Sequence, residues 1–188
     1  MLKNKSFLIV LIILIVALGL RLYLLESHKI LETDSPAYIR LGQNLISGKG
    51  YIDNAGDKNL WFPPLYPILI GISSLITSNL ELASRLISIL FGVLLIIPVF
   101  LFVKRFYNEK SAYLASILTA IYPVLAYLST IAYSDSLYIF LTMTIILVGW
   151  VTLTENKPYL YFILGLLIGL CYLTRHEGVG YLTIMMFS

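Results

Sequence analysis

Apolar runs long enough to cross a bilayer constrain this chain more than any other feature. A membrane-spanning helix needs roughly 17–25 predominantly apolar residues. Ser6–Leu25, Ser84–Val103, Ser111–Thr130 and Ser136–Leu153 meet that length, and Tyr159–Thr174 falls just short of it. A further run starts near Val179 and reaches Ser188 after about ten residues, too few to span. The sequence therefore reads as one all-α, polytopic membrane domain over residues 1–188, a helical bundle expected to be the front part of a longer protein. Composition agrees: 59% of the 188 residues are hydrophobic and 12% charged, against about 45–50% and about 25% in soluble domains. Intrinsic disorder, which needs low hydrophobicity and high charge, is excluded too. A net charge of +3 is too mild to argue for a nucleic-acid partner. Cys171 stands alone, so no internal disulfide forms, and no Cys/His cluster has metal-site spacing.

Orientation follows from the charges between the runs. Pro64–Thr77 is apolar but short and interrupted by Pro67. If it crossed, Lys104, Arg105 and Lys110 would face the side opposite Lys3 and Lys5. If it lies in the interface or dips into the membrane, all of these share one side with Lys157, as the positive-inside rule prefers. That side then carries six Lys/Arg against Glu109 and Glu155, whereas the loop Glu26–Phe62 carries four Lys/Arg against five acids. Pro64–Thr77 is therefore expected to be an interfacial or re-entrant helix. The N-terminus is cytoplasmic, 26–62 is an outer loop, and the protein is a multi-pass cell-membrane protein. Lys3, Lys5 and a weak Ala17-Leu18-Gly19 site also fit a cleaved signal. The apolar run continues to Leu25, which suits an uncleaved anchor better. Arg21, near the outer end of that run, is expected to snorkel to the interface.

Within the outer loop, Thr33-Asp34-Ser35-Pro36 marks a helix start, with proline just inside an N-terminus. Ala37, Leu41 and Leu45 share one helical face, and Gly48 and Gly50 end it, giving a short amphipathic helix on the outer membrane surface. Asp34 has two readings: a helix cap, or a general base facing a membrane-embedded substrate. Ser134-Asp135 precedes the fourth run on the same side, again as cap or as functional acid. Arg85 opens the second run and Arg175-His176-Glu177 closes the fifth. These arginines either anchor to lipid or recognise a phosphate through a forked guanidinium. No partner for His176 can be named from spacing. Two aspartates and two arginines from four junctions converge on one membrane face. That set suits reaction of a polar acceptor with a lipid-linked phosphate.

At these residues the sequence resembles membrane glycosyltransferases of the GT-C fold, in particular protein O-mannosyltransferases, aminoarabinose transferases and bacterial relatives acting on cell-surface glycans. The strings that carry the likeness are RLYLL, TDSPAYIRLGQNLISGKGY, FPPLYPILIG, ASRLISILFGVLLIIPVFLFVKRFYNEKSAYLAS, AIYPVLAYLSTIAYSDSLYIFL and GLLIGLCYLTRHEG. The resemblance implies a catalytic aspartate at Asp34, a second acidic position at Asp135 and a surface helix after Pro63-Pro64. It implies sugar transfer from a polyprenyl-phosphate donor to a glycan, lipid or protein acceptor on the outer side. Some relatives carry a lysine before the double proline, where this chain has Phe62. Contact with the donor phosphate then falls to Arg175 or Lys58, and Arg85, Tyr66 and His176 complete the expected substrate-binding set. No P-loop or other nucleotide motif is present, so no organic cofactor is expected. A divalent Mg or Mn ion between Asp34 and Asp135 is an open alternative, although two carboxylates make an incomplete site. The competing classes are a non-enzymatic lipid-headgroup-binding or transport protein, and an inactive truncated homologue. No internal repeat supports a transporter.

Overall fold

The computed structural model describes residues 2–27, 32–53, 55–59 and 61–181. In chain order the helices are α1 (Leu2–Ser27), α2 (Ser35–Ile46), α3 (Leu65–Thr77), α4 (Leu80–Leu94), α5 (Ile96–Phe106), α6 (Glu109–Ile121), α7 (Pro123–Leu128), α8 (Asp135–Glu155) and α9 (Pro158–Tyr172). A single 3-10 turn, His176–Val179, follows α9. No strand occurs among the described residues, only an isolated Ile52–Lys58 bridge in the loop between α2 and α3. The fold is an all-helical bundle. Among the described residues three segments are long and apolar enough to cross a membrane: Lys5–Glu26, Leu80–Phe106 and Asp135–Glu155.

Apolar residues cover all sides of α1 and α8, the pattern of a span rather than of a half-buried surface helix, whereas α4 turns Ser84, Arg85 and Ser88 inward. Phe7, Ile12, Ile15 and Val16 point outward, while Ile13, Ala17 and Arg21 form a buried ridge four residues apart. That ridge meets Ile96 and Ala120. Small residues let the backbones approach, as is usual between membrane helices: Ala17, Ala83, Ser84, Ser88, Ala112 and Ser116 are all fully buried. The larger core joins Tyr38 and Tyr66 to Leu137, Leu141 and Ile145 of α8 and Leu164, Ile168 and Cys171 of α9.

Several expectations are corrected here. Arg21 does not snorkel. It is fully buried, and its guanidinium donates to Ser129 Oγ at 3.2 Å, the Ala17 carbonyl at 3.2 Å and the Ala120 carbonyl at 3.0 Å. The cause is the second departure: 111–130 is not one helix. Tyr122 is extended (ψ 119°), Pro123 starts α7, and the break frees backbone carbonyls that α6 would otherwise use. The helix expected over 84–103 instead begins at Leu80, because the Asn79 side chain caps it by accepting from Leu82 N–H at 3.0 Å. It is interrupted at Leu95, three residues before Pro98. The apolar run starting at Val179 lies outside the described residues beyond Tyr181.

Contacts fix which ends of the helices lie together. The start of α1 meets the start of α6, where Lys5, Ser6 and Ile9 line a cleft with Glu109, Lys110 and Tyr113. The end of α5 meets the end of α8, Phe106 lying 4.7 Å from Trp150. At the other end, Leu65 N–H donates to the Leu173 carbonyl at 2.8 Å, joining the start of α3 to the turn after α9. With 13 residues, α3 is about 20 Å long, well short of the ~30 Å hydrocarbon core. It folds back on α4 through Ser78, whose φ of 56° makes the turn.

Candidate active site

Helix α2 starts where the sequence places it, with Pro36 in its first turn. Its buried face is Tyr38, Leu41, Gly42 and Asn44, with Ala37 and Leu45 only half-buried. The chain leaves the helix at Ser47, and Gly48 takes a φ of 71° that a β-carbon would strain. Asp34 precedes α2, exposed, and its side chain makes no cap hydrogen bond. Its carbonyl receives the N–H groups of Ala37 and Tyr38, so the helix is anchored through the backbone and the carboxylate is left over.

That carboxylate lines a cavity of about 450 Å³ at the α3/α9 end of the bundle, with Tyr38, Trp61, Phe62, Pro63, Tyr133, Asp135, Arg175, His176 and Glu177. Asp34 and Asp135, distant in sequence, thus share one cavity. Asp135 is the first residue of α8, not its cap. Its Oδ1 accepts from Arg175 Nη1 at 2.7 Å, while Arg175 Nη2 reaches Glu177 Oε1 at 3.3 Å. Burial works to lower the Arg175 pKa, but the hydrogen bond to Glu177 and the two carboxylates overcome it and raise it. Glu177 is held below the ordinary carboxylate range, first by a backbone N–H and then by Arg175. The His176 ring packs 5.6 Å from Tyr172.

Beneath the cavity lies an aromatic floor, of which the sequence reading named Tyr66 alone as a substrate-binding residue. Tyr38 stands edge-on to Phe62 at 4.8 Å and to Tyr66 at 5.2 Å, and burial raises its pKa, so the hydroxyl stays protonated. Tyr66 is fully buried rather than lining the cavity. It donates to the Ser84 carbonyl at 3.0 Å and lies 2.8 Å from Ser88 Oγ. Ser88 Oγ in turn donates to the Tyr133 carbonyl at 3.1 Å. The only sequence hint was position: Tyr38 lies one helical turn after Asp34, and Tyr133 two residues before Asp135. Arg85 and Lys58 are not brought into the cavity. Arg85 pairs with Glu81 at 2.7 Å, and Lys58 is exposed in the loop. Among the described residues no group of three His, Cys, Asp or Glu is placed to hold a metal ion.

A helical membrane bundle with acids from the loop before α2 and from the start of α8 gathered over one end has the build of a membrane glycosyltransferase of the GT-C type. The chain belongs to the dolichyl-phosphate-mannose-protein mannosyltransferase family, whose model matches residues 62–187. That match takes in Tyr66, Arg85, Asp135, Arg175 and His176, whereas Asp34 and Lys58 precede it. No curated protein and no solved structure matches the chain.

Proposed function

We propose that the protein transfers a sugar from a polyprenyl-phosphate-linked donor to a hydroxyl or amine of a glycan, lipid or protein acceptor, with the cavity on the outer face of the membrane. The observation that carries this reading is the meeting of Asp34 and Asp135 in one cavity, with the Asp34 carboxylate unused by its own helix. Asp34 takes the proton from the acceptor, whose heteroatom attacks the anomeric carbon. The bond from that carbon to the phosphate oxygen breaks, and the carrier leaves as polyprenyl phosphate with inversion at the sugar. Asp135, tied to Arg175, orients the acceptor. Arg175 is a cation lining the cavity, and its two carboxylate bonds use only part of the guanidinium's five N–H donors, so it can also meet the departing phosphate. The basic end formed by Lys5, Lys104, Arg105, Lys110 and Lys157 supports a cytoplasmic assignment for the opposite end of the bundle. A divalent ion held between Asp34 and Asp135 would offset the acids facing the phosphate.

Asp34→Asn tests the base directly. Asn ranks about level with Asp as a helix cap, yet it cannot accept the proton. With the full chain in proteoliposomes and dolichyl-phosphate mannose labelled in the sugar, release of label from the lipid should fall on the order of 10²–10⁴-fold. Folding and insertion should be unchanged. A wild-type rate would remove the base.

A further inference from the structure

The loop carrying Asp34 and the segment leading into α8 meet along a seam of hydroxyl groups. The Tyr127 hydroxyl donates to Glu32 Oε1. The Asp34 backbone N–H donates to Tyr133 Oη at 3.3 Å. The Tyr38 and Ser134 hydroxyls lie 3.1 Å apart. All three bonds join positions 95 to 99 residues apart, so only the folded chain makes them. Tyr133 is itself held from behind, its carbonyl by Ser88 Oγ and its ring against Tyr38 at 6.4 Å.

The middle bond acts on the residue given the base role. The Asp34 carbonyl belongs to the helix, but its N–H is one of the donors a helix start leaves unpaired, and its carboxylate carries no hydrogen bond or ion pair among the described residues. A side chain with no bond of its own is aimed only by its backbone. We propose that Tyr133 is the positioning residue for Asp34: its hydroxyl pins the Asp34 backbone to the start of α8, setting the distance from that carboxylate to Asp135. The hydroxyl touches neither reacting atom; it acts through Asp34. This inference rests on the base role proposed above for its catalytic consequence, but the tether itself is a structural contact with its own readout.

Tyr133→Phe removes one oxygen and keeps the ring on Tyr38. In the full chain in proteoliposomes, with labelled dolichyl-phosphate mannose, kcat should fall about ten- to a hundredfold with KM little changed, the scale expected when a catalytic group is misplaced by up to ~1 Å. Added to Asp34→Asn, the same change should cost nothing further, because what it positioned is gone. Hydrogen exchange at the Asp34 amide should quicken about fivefold or more in Tyr133→Phe, as expected for one lost hydrogen bond. An unchanged kcat, an equal loss in both backgrounds, or unchanged exchange each overturns the tether. The base reading fails by a different result: full activity of Asp34→Asn alone. Faster exchange together with that result would leave the tether as a contact and remove its catalytic role.

Discussion

Arg21 shows how a charge can lie inside a membrane bundle without being a substrate site. In an unbroken helix the Ala120 carbonyl would accept from residue 124. The extended Tyr122 and the missing N–H of Pro123 end that ladder, and the Arg21 guanidinium takes the carbonyl instead. The same fork holds Ser129 Oγ at the end of α7, so one side chain clamps both halves of the broken segment to α1. Lysine carries the charge but has one nitrogen where arginine has a planar fork. Arg21→Lys should therefore lose at least one buried bond and cost about 1–3 kcal/mol. Unfolding of the detergent-solubilised protein by denaturant titration would read this; an unchanged midpoint would mean the break is held by packing alone.

At the scale of elements, α2 is placed by a glycine crossing. A β-carbon on Gly42 would come within 2.9 Å of the Pro67 carbonyl oxygen, and one on Gly71 within 2.8 Å of Ile46 Cγ2. The first obstacle is backbone and cannot swing aside, so α2 and α3 sit as close as they do only because Gly42 is bare. Gly42→Ala should push the helices apart at about 1–3 kcal/mol and lower sugar transfer, since α2 carries Asp34 at its start. Gly19→Ala, whose added carbon meets nothing within 4 Å, should leave both the thermal midpoint and the transfer rate in place. Equal effects from the two substitutions would argue that close packing at the crossing is not what positions α2.

For the whole molecule the proposal stands on polarity. The cavity and the Lys104–Lys110 turn lie at opposite ends of the bundle, so they should face opposite sides of the membrane. Cysteines introduced at Ala55 and Tyr107, one at a time in a Cys171→Ala background, test this. Tyr107 is exposed and Cys171 is fully buried. An impermeant thiol reagent should reach Ala55→Cys from outside intact cells and Tyr107→Cys only after permeabilisation. Labelling of both from outside would overturn the orientation and the outer-face reaction with it.

The sequence by itself determined the class of fold, because hydropathy over about 20 residues and the sign of flanking charges are local quantities that a bilayer reads directly. It also marked the start of α2 and the end at Gly48, where proline and glycine impose backbone angles on their own. Asp34, Asp135 and Arg175 were legible as charged residues at junctions. Their convergence on one face was expected too; the shared cavity and the Arg175–Asp135 pair were not, because nothing along the chain encodes the distance between α2, α8 and the turn after α9. The rest of the aromatic floor was hidden for the same reason: nothing along the chain brings Tyr38 and Tyr133 together, and Tyr66, expected to bind substrate, is instead fully buried against Ser84 and Ser88. Arg21 was misread because its neighbours in sequence put it near a membrane interface. Its partners, Ala120 and Ser129, lie on a segment about 100 residues on; Pro123 frees the carbonyl locally, and only the tertiary structure lays that carbonyl against Arg21 to hold it inside.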